Sequence, residues 1–179
     1  MIARWGRERF LARLGDVVAI YETVWARAGS GQRDVSARRA TCPDFVCAAA
    51  LEDERLLGFA YGSAGRPGEW WHERVAPAAS AAARGEWFAD YFVIAEVAVL
   101  PEAQGRGLGR RLMEELLAAP EVRRHPVALL MVDDANERAR ALYRSLGFED
   151  GVREFRFTPD GDTKRVMGRR LRDVGPPRP

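Results

Sequence analysis

An α/β domain with a buried parallel strand pair at the centre of its sheet is the fold class this sequence predicts, and three observations carry it. Tyr91–Leu100 and Val127–Val132 are nearly continuous apolar runs, the pattern of strands buried on both faces. Between them, Gly107–Ala119 sets Leu108, Leu112, Leu116 and Leu117 on one side of a helix, which makes a right-handed strand–helix–strand crossover. On either side, Phe45–Leu51 with Leu56–Gly62, and Arg153–Phe157 with Arg165–Leu171, read as strand pairs around short polar turns.

The remaining elements follow in order. Phe10, Leu11, Leu14, Val17, Val18, Tyr21, Val24 and Trp25 recur near a 3.6-residue period, which predicts a helix from about Glu8 to Ala28, ended by Gly29-Ser30-Gly31. A short polar helix follows over Gln32–Arg39. Ser63–Asp90 breaks the rhythm: Gly65, Pro67 and Gly68 open it, Trp70-Trp71-His72 comes next, and an Ala-rich helical piece spans Pro77–Arg84. Loops of this length inside compact domains are usually lids, binding loops or disordered segments. Asn136 is placed as the N-cap of a helix carrying Ala139, Leu142, Tyr143 and Leu146 inward, with Gly147 as its stop. Residues 1–174 are expected to form one domain with an insertion at about 63–90, and 175–179 a frayed tail.

Composition narrows the function classes. The chain has 179 residues, is 47% hydrophobic and carries a net charge of +2, enough for one core and too little charge to argue for a polyanion partner. Lys164 is the only lysine, and the arginine pairs Arg38-Arg39, Arg123-Arg124 and Arg169-Arg170 are scattered without interleaved aromatics, so no nucleic-acid surface is expected. Cys42 and Cys47 form no metal-ligand pattern, His72 and His125 lack partners for one, and no metal is expected. No apolar run reaches bilayer length and the first residues have no secretory core, so the expectation is a cytoplasmic protein with no membrane contact.

The segment Val97-Ala98-Val99-Leu100-Pro101-Glu102-Ala103-Gln104-Gly105-Arg106-Gly107-Leu108-Gly109 concentrates the chemistry. A strand ends at a proline, passes a glycine-rich basic turn and opens into a helix, where unpartnered amides at a positive helix terminus bind phosphate. Glycines admit that phosphate without a Cβ clash. The spacing G-x-G-x-G is not the dinucleotide fingerprint, and no G-K-S/T follows, which excludes the P-loop. Gln104, Gly107 and Gly109 instead give Q-x-x-G-x-G, which resembles the acetyl-CoA motif of the GNAT superfamily of N-acetyltransferases. A second match follows in order: Asn136 to Phe148 is similar to that superfamily's N-x-x-A-x-x-L-Y-x-x-x-G-F segment. The opening departs from the pattern, since no short first strand is evident before the first helix.

The resemblance implies a mixed, mostly antiparallel sheet flanked by helices, with the central parallel pair splayed to admit the cofactor. It implies that amides of Gln104, Gly105, Arg106, Gly107, Leu108 and Gly109 hold the CoA pyrophosphate, with Arg106 and Arg110 or Arg111 adding charge. It further implies that Val97, Ala98 and Val99 pair with pantetheine, one amide there polarising the thioester carbonyl. Asn136 would contact the cofactor arm, a role compatible with capping. Tyr143 occupies the position that reprotonates the departing thiolate in many relatives; packing on the inner helix face is its other reading. Glu96 is the only charge within the run Tyr91–Leu100. A carboxylate there suits removal of an ammonium proton, which costs roughly 4–5 kcal/mol at neutral pH; a salt bridge to an arginine is the alternative. Trp70 and Trp71 are candidates to roof an amine pocket opposite Tyr21 and Trp25, or to anchor the insertion to the core. The expected activity is acetyl transfer from acetyl-CoA to a primary amine, on a small molecule or peptide, by direct attack without a covalent intermediate. A non-catalytic acyl-CoA sensor of the same fold is the alternative, and a homodimer through a sheet edge is compatible with either.

Overall fold

The computed structural model describes residues 1–26 and 31–171. Its strands are β1 (Ile2–Trp5), β2 (Val46–Glu52), β3 (Arg55–Gly65), β4 (Tyr91–Val99), β5 (Val127–Asp133), β6 (Glu149–Phe155) and β7 (Lys164–Arg170). Its helices are α1 (Arg7–Ala12), α2 (Leu14–Trp25), α3 (Gln32–Ala40), α4 (Trp70–Val75), α5 (Ala81–Trp87), α6 (Leu108–Leu117), α7 (Pro120–Arg123) and α8 (Glu137–Ser145). The strands follow the order β1-β2-β3-β4-β5-β7-β6, mostly antiparallel, with β4–β5 as the parallel pair. Two compact units emerge: Met1–Ser63 with Ile94–Val122, and Ala64–Val93 with the chain from Arg123 on.

In the first unit, β1 pairs antiparallel with β2, Ile2 opposite Ala50 and Trp5 opposite Cys47. This corrects the expectation of an opening without a strand. The element is four residues long, and Arg4 interrupts its apolar pattern, so it carries no periodic signal of its own. The long helix anticipated from Glu8 is two helices. Arg13 breaks it with φ −109° and ψ 16°, held there by its side-chain bonds to Asp16 and to the Glu54 carbonyl, with Gly15 adding little resistance. The end foreseen at Gly29-Ser30 lies outside the described residues, as does the foreseen tail at 175–179.

The core of this unit is aromatic. Phe10 is fully buried, with ring centroids 4.8 Å from Phe45 and 5.0 Å from Tyr61 in edge-on contacts. α6 packs Leu112, Met113 and Leu116 inward, covering β1 and β2. Cys47 is fully buried on β2, and burial pushes its thiol pKa up, whereas Cys42 is partly exposed.

In the second unit, β5, β7 and β6 form an antiparallel ladder, with Leu129 opposite Gly168 and Val166 opposite Val152. β6 begins at Glu149, four residues before the position expected from its apolar residues, because Glu149 and Asp150 pair on β7 despite their charge. Gly168 has Trp87 against it: an added Cβ would lie 2.3 Å from the ring. The insertion holds the expected Ala-rich helix, shifted to Ala81–Trp87, and a further helix at Trp70–Val75 where no element was expected. α4 and α5 bracket a 3-10 turn at Ala76–Ala78, and the Ser80 hydroxyl caps α5 by accepting from the Ala83 amide at 3.2 Å. Trp87, Phe88, Tyr91, Val93, Leu129 and Val166 form the core beneath it. Among the described residues no helix is long and apolar enough to cross a membrane.

Candidate functional site

The residues singled out in the sequence divide between the two units. Glu96–Gly109, Tyr21 and Trp25 lie in the first; Trp70, Trp71, Asn136 and Tyr143 lie in the second.

β4 ends where the Leu100 amide donates to the Leu57 carbonyl at 2.9 Å. Pro101–Ala103 forms a single 3-10 turn, then the chain passes Gly105 and Gly107 into α6. Both glycines have left-handed backbones, φ +78° and +75°, and a Cβ added to either would meet no atom within 4 Å. Gly107 caps α6 without any side chain accepting from the first turn. The first helical bond runs from the Arg111 amide to the Gly107 carbonyl at 3.2 Å, so the Leu108 and Gly109 amides precede the helical ladder. Together these features make an open backbone concavity at a positive helix end, which fits a diphosphate. Gln104 serves the loop itself: its amide donates to the Pro101 carbonyl at 3.2 Å, and its Nε2 reaches back to the Val99 carbonyl at 3.0 Å. The Arg106 guanidinium lies on Glu52, Nη2 to Oε1 2.9 Å.

Upstream on β4, Ala98 is buried while Glu96, Val97 and Val99 are half-buried. Gly58 of β3 lets that strand approach closely, since an added Cβ would stand 2.7 Å from the Ala98 carbonyl oxygen. Glu96 is close enough to Tyr61 for its charge to count: burial, then Glu96, pushes the Tyr61 phenol pKa up. That phenol shares a buried polar triangle which sequence reading missed. Tyr61 Oη is 3.0 Å from Ser36 Oγ, and Gln32 Nε2 donates to Ser36 Oγ at 3.1 Å and to Tyr61 Oη at 3.3 Å. The signal was available only in part, because α3 reads as uniformly polar until Gln32, Ser36 and Ala40 prove to be its buried face. Tyr21 and Trp25 sit one turn apart on α2, edge to face at 6.1 Å.

In the second unit, Asn136 caps α8 as foreseen, its Oδ1 accepting from the Ala139 amide at 3.0 Å. Gly147, at φ +83°, ends the helix with the Phe148 amide donating to the Tyr143 carbonyl. Tyr143 is 8% exposed and packs edge-on against Phe148. Asp133, Asp134, Ala135, Asn136, Asp162 and Thr163 line an open depression of about 600 Å³. Its acidic floor is held by cations: Lys164 on Asp133, Arg140 donating to the Asp134 carbonyl at 2.7 Å, and Arg165 clasping Asp134 and Asp150 at 2.6 and 2.8 Å. No signal in the sequence tied Arg165 to this turn. Trp71 is anchored, 5.9 Å from Tyr91 and 6.1 Å from Phe88, while Trp70 is 62% exposed and stacks on Phe157 at 5.1 Å. No group of three or more metal-ligating side chains occurs among the described residues.

The Arg165 hydrogen bond holds the Asp134 carboxyl below its usual range. A lowered folded-state pKa gives stability that is present above the ordinary carboxylate value and lost as pH falls through the lowered one. The melting-temperature gap between the native chain and Arg165→Met is therefore expected to be wider at neutral pH than in acid near the carboxylate range; equal gaps at both would contradict this account.

The model of the acetyltransferase (GNAT) family matches residues 16–148. The GCN5-like protein acetyltransferase Rv2170 of Mycobacterium tuberculosis is 36% identical over 129 residues, 69% of this chain and 63% of that protein, so this chain spans less than two thirds of that relative's length. The Escherichia coli ribosomal-protein-S18-alanine N-acetyltransferase superposes with a TM-score of 0.69 at 21% identity, covering 100% of this chain and 99% of that one. The Salmonella typhimurium protein yncA, solved with its cofactor acetyl-CoA, superposes with a TM-score of 0.64 at 18% identity, over 99% and 97% of the two chains. With the family's model matching residues 16–148 and a relative 36% identical over 69% of its length, the chain belongs to the GNAT acetyltransferase family.

Proposed function

We propose that this protein is an N-acetyltransferase that moves the acetyl group of acetyl-CoA to a primary amine by direct attack within a ternary complex. What supports the reading is one arrangement: an open cradle of amides at Gly105–Gly109, entered from a strand that carries a half-buried carboxylate, Glu96. Acetyl-CoA supplies the activated thioester. The Gly105, Gly107, Leu108 and Gly109 backbone binds its diphosphate, and the Val97–Val99 backbone orients the arm beyond it. Glu96 takes a proton from the ammonium, directly or through water, and hands it to solvent. Tyr143 gives its phenolic proton to the departing sulfur and recovers one from the acetylated nitrogen, so the amine loses two protons and the sulfur gains one. A thiol pKa of about 8.5 makes the second transfer the lesser contribution. Asn136 contacts the cofactor arm while capping α8.

The acceptor we propose is an amine on a peptide or protein, in keeping with the protein acetyltransferase and ribosomal-protein enzyme among the similar proteins. Free-thiol release from acetyl-CoA should be followed with three acceptors: peptides with free N-termini, N-blocked lysine peptides, and small amines. Release with either peptide class is expected. Acetyl-CoA raising the melting temperature with no thiol release from any amine would replace this reading with a binding module.

A further inference from the structure

The turn that joins β2 to β3 faces the cradle with two ion pairs of opposite sense. Glu52 and Arg55 are cross-strand partners flanking Asp53-Glu54. Both turn residues have left-handed backbones, φ 46° and 65°, the geometry that matches the twist of a two-residue hairpin. The turn is fixed from behind, where Arg13 Nη2 donates to the Glu54 carbonyl at 2.9 Å. Arg55 reaches Glu102 on the 3-10 turn at 2.7 Å, and Glu52 takes Arg106 at 2.9 Å. Arg106 stands between the two left-handed glycines, so its guanidinium is carried by the same turn that presents the uncapped amides. Its partner is therefore an anion in competition with any phosphate arriving there.

We propose that Glu52 sets the affinity of the cradle for a diphosphate by holding Arg106 as an internal rival anion. The inference rests on the reading of Gly105–Gly109 as the diphosphate site. The pair can be exchanged cheaply. Glu52 and Arg106 are each about half exposed, 51% and 53%, and ion pairs of that kind are weak. A diphosphate brings more charge than one carboxylate and also engages the amides, so it takes the guanidinium from Glu52. Arg55–Glu102 keeps the loop tied to the hairpin while Arg106 changes partner. Arg106 in turn holds the Glu52 carboxyl below its usual range, so the rival is charged throughout the neutral pH region. Removing that charge tightens cofactor binding, and only through Arg106.

The test is calorimetric titration with acetyl-CoA, without acceptor, of the native chain, Glu52→Gln, Arg106→Gln and the double variant. Glu52→Gln is expected to lower Kd by about 1.5-fold to fivefold. The same substitution in the Arg106→Gln background should leave Kd unchanged. The gain should shrink between about 50 mM and about 300 mM salt, as screening weakens the competition. An unchanged or raised Kd for Glu52→Gln, or an equal change in both backgrounds, overturns the proposal. S-acetylpantetheine, which lacks the diphosphate, separates this failure from that of the underlying reading. Native chain binding it as tightly as acetyl-CoA sinks the cradle itself and the proposal with it. A strong preference for acetyl-CoA with no tightening by Glu52→Gln sinks the proposal alone.

Discussion

Replacing Glu96 by glutamine should lower kcat/KM at neutral pH by about 10²–10³-fold while leaving the acetyl-CoA Kd within about twofold, the range for loss of a positioned general base. The amide is nearly isosteric, so the half-buried position on β4 stays filled and only the proton acceptor is lost. With a lysine peptide as acceptor, whose ammonium titrates near 10.4, roughly one amine in a few thousand is already free at neutral pH; an N-terminal amine, titrating near 8, is free to about one part in ten and should show a smaller loss. The free fraction rises about tenfold with each pH unit until it levels. The variant should therefore recover activity as pH increases, following the free-amine fraction, while the native profile levels earlier. A variant that keeps its activity and the native pH profile would remove Glu96 from catalysis. Tyr61 does not replace it: its phenol is buried, bonded to Ser36 and Gln32, and its pKa is pushed up by that burial.

Gly58→Val should be the most damaging single substitution for the fold near the cradle, lowering stability by about 2–3 kcal/mol through overpacking. The clash is with main chain. An added Cβ would stand 2.7 Å from the Ala98 oxygen and 3.0 Å from the Val99 Cα, so no rotamer change relieves it. β3 must move from β4 or the Ala98–Val99 segment must tilt. At this chain length the loss corresponds to about 5–10 °C in Tm. Gly6→Ala is the matched control, because nothing lies within 4 Å of that position, and it should shift Tm by less than about 2 °C. Comparable losses from both would show that close approach at β3 is not the cause.

What could be foreseen from the chain was what is local. The glycine turn after β4, the Asn136 cap and the Gly147 stop each declare themselves within a few residues, because left-handed backbones and caps are short-range requirements. β4 and β5 were legible because burial on both faces leaves continuous apolar runs. The misses depend on partners distant in sequence. β1 exists because β2 offers it an edge, with Ile2 set opposite Ala50. The break at Arg13 depends on the Glu54 carbonyl, 41 residues away. The engagement of Arg106 by Glu52 spans 54 residues, and a guanidinium beside two glycines reads as a phosphate ligand until the hairpin is in place. The buried triangle of Gln32, Ser36 and Tyr61 was hidden for a similar reason: a polar helix shows its inward face only against the strand it covers.

The contrast between the two cysteines bears on how turnover can be followed. A chromogenic aromatic disulfide that counts liberated coenzyme also reacts with protein thiolates, so Cys42, partly exposed, contributes a background of one equivalent per chain. Cys47, sealed in β2 and held protonated, stays silent while the sheet is intact. A second equivalent consumed late in a progress curve thus marks chains that have opened, and separates inactivation of the enzyme from exhaustion of its acceptor.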